Sequence, residues 1–360
     1  TENTPSVLPD GRILYTRWEY VNRDPVVFHH LWTMNPDGSN QKVYFGNMHP
    51  GGVFIDAKPI PGTDRVVLID SPGHGRNEHE GHLAIVSSRN GPDDKSSLRR
   101  IANGYRDPYP LTQDAFLAAK GNQIQLVDAD GNSHVVYSGP RMLHEPVVLK
   151  KRKRERRRPT LLDFNKKTGT VVLNDVYIGR NMAGVTRGSI KSILVLEDLS
   201  KPANFHGGGS QPLGHGVTST LKRILGTVPV EADGSAHFRV PAVRSIYLAL
   251  LDENSRSVKQ MRSFMTLQPG EVSSCIGCHE PRTQTPPTGG KPTLQALNRK
   301  PSDIVPFSNV PDVLDFPRDV QPILDKHCVK CHNPAKRSGN VILTGDRGPV
   351  FSHSYYELFF

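Results

Sequence analysis

The first 140 residues are built from short apolar runs that follow polar turns. Three segments share this order: PSVLPDGRILYTR from Pro5, PIPGTDRVVLID from Pro59 and PLTQDAFLAA from Pro110. Asp-Gly pairs favour tight hairpins because both turn residues need positive φ. The pattern therefore predicts antiparallel strands joined by short turns.

These strands belong to a repeat. LWTMNPDGSNQKVYFGN from Leu31 aligns with IQLVDADGNSHVVYSGP from Ile124, with Asp-Gly, Val-Tyr and Gly at matching positions, an offset of 93 residues. A weaker copy, HLAIVSSRNG, begins at His82 between them. Half of the offset, about 46 residues, is the length of a four-stranded propeller blade. Residues 1–148 are predicted to be the C-terminal, WD40/TolB-like blades of a β-propeller that begins before Thr1, since three blades do not close a ring.

The periodicity ends at a basic loop, residues 149–159. After it come strand-like segments such as TGTVVLNDVYI and SIKSILVLEDL, which predict a β-rich middle domain over residues 160–285. Proline and threonine dominate residues 286–312, which predicts a linker or an extended wrapping segment.

A helix is predicted in the last segment, residues 313–360. Val320, Ile323, Leu324 and Cys328 recur at helical spacing in DFPRDVQPILDKHCVKCHNPA, and Asn333 with the following proline is expected to end the helix. We interpret this segment as a small, truncated cytochrome c-like domain. The predicted fold class is mainly β: a partial propeller, a β-rich middle domain and a small helical domain.

Positive charge is concentrated in one run. The formal net charge is +10, and KKRKRERRR at Lys150–Arg158 supplies +7 of it. Such a block is more typical of a solvated loop than of a nucleic-acid surface, and we predict no nucleic-acid partner. Docking of an acidic redox partner is the functional alternative. No run of about twenty apolar residues occurs, so no membrane span is predicted.

All four cysteines lie in two CxxCH motifs. Two thiols about one helical turn apart can both add to the vinyl groups of a haem, and the histidine that follows can ligate its iron. Cys275, Cys278 and His279 are predicted to hold one haem c. Cys328, Cys331 and His332 are predicted to hold a second, with His279 and His332 as axial ligands of the iron.

Two other uses of CxxC pairs fit less well. Structural zinc sites usually place the pairs 15 to 20 residues apart and do not need a histidine after both. Thioredoxin-like redox sites follow a βαβ pattern, which is absent from this sequence. Covalent haem attachment takes place outside the cytoplasm, so we expect a periplasmic or otherwise extracytoplasmic protein whose signal peptide is not in this sequence, which opens TENTPSVLPDGR.

Three segments resemble a known family: LKRILGTVPVEADGSAHFRVPA, MRSFMTLQPGEVSSCIGCHEPRTQTP and FPRDVQPILDKHCVKCH. They are similar to the hydrazine synthase alpha subunit-like proteins common in planctomycetes, which combine a propeller, a β-rich middle domain and c-type haem sites. In hydrazine synthase, the resemblance implies, the middle-domain haem joins nitrogen atoms and its iron is ligated by a tyrosine four residues after the motif histidine. This chain has Thr283 there.

The resemblance also implies a zinc contact from a cysteine outside the haem motifs, and this chain has no fifth cysteine. Both departures predict a relative that is not a true hydrazine synthase. Other subunits of a larger complex are possible partners in such a family.

Several histidines are candidates for a distal haem ligand or a further metal site. Three lie within nine residues of SPGHGRNEHEGH and others lie alone, where a polar loop histidine is the more common role. The candidates are His74, His79, His82, His206, His215, His327 and His353.

Three functions follow from these observations. The first is an exported dihaem c-type cytochrome-like protein that transfers electrons. The second is a haem-dependent oxidoreductase whose first haem keeps an open position for a small nitrogen or oxygen species. The third is a propeller-based interaction module.

Overall fold

The computed structural model describes ten ranges of the chain: 2–19, 21, 27–46, 48–49, 51–74, 77–179, 181–199, 221–278, 293–348 and 351–359. Four residues singled out above lie outside these ranges: His206, His215, His279 and Thr283. None of the helices within the described ranges is long and apolar enough to cross a membrane.

Eleven strands form the N-terminal part, in consecutive antiparallel meanders. They are β1 (Glu2–Val7), β2 (Ile13–Trp18), β3 (His29–Met34), β4 (Lys42–Phe45), β5 (Val53–Pro59), β6 (Arg65–Ser71), β7 (Gly81–Ser87), β8 (Arg99–Pro110), β9 (Ala115–Lys120), β10 (Gln123–Asp128) and β11 (Ser133–Ser138). The first meander is β1–β4, the second β5–β8 and the third β8–β11. The predicted propeller-like blades are confirmed.

The sequence repeat has a direct structural counterpart. Leu31, His82 and Ile124 lie on β3, β7 and β10, the third strands of the three meanders. Gly38 and Gly131 form the turns after two of these strands with φ of 82° and 91°. This conformation is easily reached only without a Cβ, which is why the Asp-Gly turn recurs.

A second repeat was not visible in the sequence. Thr4, Asp56 and Asp107 lie in β1, β5 and β8, and each sits where the strand register shifts. Their φ angles are 47°, 57° and 49°. A bulge residue in the left-handed region increases the local twist of the strand. Each meander therefore carries the same kink in its first strand.

Two sheets form the middle domain. One has the order β15–β12–β18 and the other β14–β13–β16–β17. The strands are β12 (Thr168–Leu173), β13 (Ser192–Leu199), β14 (Leu221–Pro229), β15 (Ala236–Pro241), β16 (Ile246–Leu251), β17 (Ser257–Gln260) and β18 (Val272–Cys275). Val171, Ile193, Phe238 and Ile246 from both sheets share one buried core, so the two sheets pack as a sandwich.

The middle domain packs on the first meander. The backbone N–H of Asn40, in the β3–β4 turn, donates to Glu271 Oε1 at 2.7 Å. Ser263 Oγ donates to Glu19 Oε2 at 2.8 Å. These bonds join loops of the middle domain to two places on the first blade.

Among the described residues, the C-terminal part contains two short α-helices, α1 (Gln321–His327) and α2 (His353–Phe359), and a π-helical turn at Phe316–Val320 leads into α1. The predicted helix is shorter than its apolar spacing indicated, because α1 ends at His327, before the second CxxCH motif. The second helix was not predicted. Gln321 is buried and links the segments: its Nε2 donates to Leu343 O at 3.0 Å, and Ser354 Oγ donates to its Oε1.

The basic loop is exposed and forms neither helix nor strand. It crosses the β1–β2 turn, where the Arg156 N–H donates to Pro9 O at 3.3 Å and Arg158 Nη1 donates to Asp10 O at 3.3 Å. Gly11 permits this crossing, since a Cβ there would lie 2.1 Å from Arg156 O. The loop is therefore held on the surface with its charges in solvent.

Candidate functional site

The first motif lies at the edge of the middle-domain sandwich. Cys275 is the last residue of β18, which runs parallel to β12 with Leu173 opposite Cys275. Cys275 and Cys278 are half-buried and pack against the sandwich core. The described part of the motif is thus fixed to the domain that precedes it in the chain.

Backbone hydrogen bonds continue this pairing through the motif. The N–H groups of Asn174 and Asp175 donate to Cys275 O and Ile276 O at 2.9 and 3.0 Å, and the Cys278 N–H donates to Ile178 O at 2.7 Å. The expectation that the thiols lie one helical turn apart is wrong here. The segment is a strand end followed by a bend, because its backbone groups bond to the chain after β12.

Two glycines make this close contact possible. A Cβ on Gly179 would lie 1.7 Å from Cys278 O, and a Cβ on Gly277 would lie 2.1 Å from Ile178 O. Such distances are far inside van der Waals contact, so only glycine fits at either position. Gly277, inside the CxxC spacing, therefore has a packing role.

The second motif has the helical geometry that the first lacks. Cys328 N–H donates to Leu324 O in α1 at 2.8 Å. The N–H groups of Cys331 and His332 both donate to Cys328 O at 3.0 Å. These i to i+3 and i to i+4 bonds form one further turn after α1, so both thiols and the histidine project from a single turn.

His332 is held at its backbone but not at its ring. Leu343 N–H donates to His332 O at 2.9 Å, whereas His332 Nδ1 is buried and has no hydrogen-bond partner among the described residues. Leaving a buried polar atom unpaired costs about 1–3 kcal/mol.

The cysteines carry thiols, and none of the four is in a disulfide. All four lie in the described ranges, and no group of three close metal-ligating atoms found there includes a cysteine.

The structure does not bring the three clustered histidines together. His74 Nδ1 lies 3.3 Å from Glu78 Oε2, whereas His79 Nδ1 lies 3.3 Å from Asp56 Oδ2. His82 is a half-buried residue of β7. Close spacing in the sequence failed as a guide because the three residues lie on a loop, at its end and in a strand.

Asp56 has a perturbed environment. Its side chain is buried, and burial, with a further contribution from the nearby Asp107 carboxylate, raises the pKa of Asp56 to about 6, while His79 opposes the shift. Glu145 completes a group of three carboxylates whose oxygens lie within 4.8 Å of one another. This group was missed in the sequence because its members come from three different segments.

The histidine candidates near the second motif lie on the surface. His327, the last residue of α1, is exposed. His353 Nε2 lies 3.3 Å from Glu357 Oε1 on the outside of α2. His206, His215 and His279 lie outside the described residues, so their predicted roles stay predictions.

Comparisons with known proteins agree with the resemblance. The family profile of the hydrazine synthase alpha subunit middle domain matches residues 188–280. The fold is similar to a chain of Kuenenia stuttgartiensis hydrazine synthase, with a TM-score of 0.78 and 20% identity over 100% of this chain and 60% of that one. The chain thus spans 60% of the length of that relative.

A gluconolactonase from Xanthomonas campestris aligns over 40% of this chain and 49% of its own, at 18% identity and a TM-score of 0.28. No curated protein sequence matches the chain. The predicted fold class and the predicted family resemblance are confirmed.

Proposed function

We propose that this chain, which is related to the hydrazine synthase alpha subunit through its middle domain, is an extracytoplasmic c-type haem protein that transfers electrons. Cys275 and Cys278 would hold one haem through thioether bonds, and Cys328 and Cys331 a second. His279 and His332 would be the axial ligands. When bound, the haem supplies an iron centre that accepts and releases one electron.

The observation that carries this proposal is the turn from Cys328 to His332. Both thiols and the ring project from one hydrogen-bonded turn after α1, which is the arrangement that attachment to one side of a haem requires. The first motif supports the proposal by its residue types, since it repeats the same spacing and uses the remaining two cysteines.

The ring of His332 fits an axial ligand. Its buried Nδ1 has no hydrogen-bond partner in the described chain. A bond from this imidazole to iron would hold a ring that the protein alone leaves unsupported. A histidine with a structural role only would be expected to bond to a neighbour.

The basic loop supports a role in docking. Its charges stay in solvent while backbone and side-chain bonds hold the loop across the β1–β2 turn. An exposed block of one sign accelerates encounter with a partner of the opposite sign. We propose an acidic electron-transfer protein as that partner.

Haem content tests the proposal directly. The chain would be exported to the periplasm of a host that expresses haem-attachment machinery, and then analysed by mass spectrometry and pyridine haemochrome. Two covalent haems per chain are expected. Replacing Cys275 and Cys278 with alanine, or Cys328 and Cys331 with alanine, should each remove one. A colourless chain in the presence of the machinery would contradict the proposal.

A second candidate function is favoured by the difference between the motifs. The first packs against the middle domain, which is the part matched by the hydrazine synthase family, and it lacks the helical turn of the second. The haem at this motif could keep an open iron position and act on a small nitrogen or oxygen species. Carbon monoxide would shift the spectrum of such a reduced haem, whereas a haem with six ligands would not respond.

A further inference from the structure

We propose that His29, His74 and Glu78 bind one divalent transition-metal ion, with zinc as the representative. His29 is the first residue of β3, and His74 and Glu78 lie between β6 and β7. The site therefore joins the first and second meanders of the propeller and is separate from both cysteine motifs in the sequence.

The ligand atoms converge on one point. His29 Nδ1 lies 3.2 Å from Glu78 Oε1, and His74 Nδ1 lies 3.3 Å from Glu78 Oε2. One ligand atom from each residue lies within 4.8 Å of the others. Ligands at about 2.0–2.1 Å from a tetrahedral zinc ion are about 3.3–3.4 Å apart, so each imidazole nitrogen lies at nearly that distance from one of the two oxygens of Glu78.

Trp18 holds the two imidazoles in place. Its ring stacks on His29 at a centroid distance of 4.6 Å and an interplanar angle of 24°, and it contacts His74 at 4.7 Å and 44°. His29 is fully buried. A ligand set whose rings are fixed by packing loses little conformational freedom when the ion binds.

Charge also favours an ion. Glu78 brings a carboxylate with one-fifth of its side chain exposed next to the fully buried ring of His29. A divalent cation between the three side chains would balance this carboxylate.

The donor set indicates the class of metal. Two imidazole nitrogens and one carboxylate oxygen suit zinc and similar ions better than calcium or magnesium, which take oxygen ligands. The His74 side chain is 37% exposed, so the site reaches solvent on that side. A fourth ligand position would face solvent, as in zinc sites that bind water or a substrate.

Zinc binding to the full, haem-loaded chain tests this inference. After treatment with a chelator, the protein would be titrated with zinc chloride by calorimetry, and bound zinc would be counted by elemental analysis. We expect one zinc ion per chain. His74→Ala and Glu78→Gln should each weaken binding by more than about 100-fold, since loss of a mere supporting contact already costs about 10- to 100-fold.

His134→Ala is the matched control, because it removes an exposed histidine from β11 on another blade and should leave zinc affinity unchanged. X-ray absorption at the zinc edge should show nitrogen and oxygen ligands and no sulfur. His74 and Glu78 are partly exposed, so these variants are expected to fold, and circular dichroism checks this. Absence of zinc from the wild-type chain, sulfur ligands, or full affinity in folded His74→Ala would each overturn the proposal.

Discussion

The guanidinium of Arg17, in the first blade, lies 4.5 Å from the ring centroid of Phe264, in the middle domain. Trp32 covers it at 4.3 Å from another side, and Glu19 pairs with it at 3.1 Å. The side chains of Arg17 and Glu19 are 3% and 1% exposed. A buried, aromatic-lined ion pair therefore lies between the two domains.

Arg17→Met should be strongly destabilising. Methionine keeps an apolar side chain between the two rings but removes the guanidinium that pairs with the buried Glu19 carboxylate. Breaking a buried ion pair in this way costs about 3–5 kcal/mol. Urea denaturation followed by tryptophan fluorescence measures the change.

Lys166→Met is the control for this variant. Lys166 forms an exposed pair with Asp163, at 3.7 Å with side chains 61% and 45% exposed, and its loss should cost about 0–1 kcal/mol. Equal losses in the free energy of unfolding of the two variants would show that the buried Arg17–Glu19 pair contributes no more to stability than the exposed pair.

Gly179→Ala should disrupt the first motif. The added Cβ would lie 1.7 Å from Cys278 O, so the two backbone segments must move apart. We expect a loss of at least about 1–3 kcal/mol in the free energy of unfolding. Gly73→Ala, where nothing lies within 4 Å of the new Cβ, is the control and should change stability little. An unchanged unfolding midpoint for Gly179→Ala would contradict the backbone contact described above.

His332→Ala should change the spectrum of the second haem proposed above without detaching that haem. Cys328 and Cys331 would still form the thioether bonds, while the iron would lose an axial nitrogen and shift towards a high-spin spectrum. Electron paramagnetic resonance and the visible spectrum detect this change. His134→Ala is the control, since His134 is exposed on β11 and is not among the candidate ligands. Identical spectra from both variants would remove His332 from the ligand set.

Asp56 should make stability depend on pH. The pKa of this carboxyl is about 6 in the folded chain against a model-compound value of 3.8. The folded state therefore holds the proton more tightly, and the free energy of unfolding falls as pH rises from about 4 to 6. Asp56→Asn should be more stable than wild type at pH 7 by up to about 3 kcal/mol, and the difference should vanish near pH 4.

Asparagine suits this position because it tolerates the left-handed backbone of Asp56, where φ is 57°. Asp128→Asn is the control with the opposite sign: hydrogen bonds, first that from Asn132, lower the pKa of Asp128. The ionised Asp128 carboxylate therefore stabilises the folded state at neutral pH, and this stabilisation is lost in acid. A wild-type advantage over Asp56→Asn at pH 7 would contradict the assigned shift.

The repeat was predictable because its signal is local. The Asp-Gly turns and the apolar strands beside them depend on neighbours within a few residues, so the offset between Leu31 and Ile124 identified two blade lengths. The bulges at Thr4, Asp56 and Asp107 are not marked by one residue type, since the first is a threonine and the other two are aspartates, and their common φ arises from the blade architecture.

The candidate sites also contain some features that local sequence predicts and others that depend on distant parts of the chain. The turn from Cys328 to His332 follows a helix signal that is adjacent in sequence, so its geometry was predictable. The first motif is not helical because its partner, Leu173 in β12, is far away along the chain. The contact of His29 with His74 likewise depends on how two blades pack against each other. The spacing of the histidines in SPGHGRNEHEGH carries no information about that packing.

The parallel pairing of β12 with β18 has a consequence for the order of events during folding. Thr170 pairs with Val272, so this edge of the sheet closes only after the intervening sandwich strands have been synthesised and brought into place. Before this pairing forms, the backbone groups of Val272–Cys275 are not held against β12, and docking of β18 is the step that fixes the first motif to the middle domain.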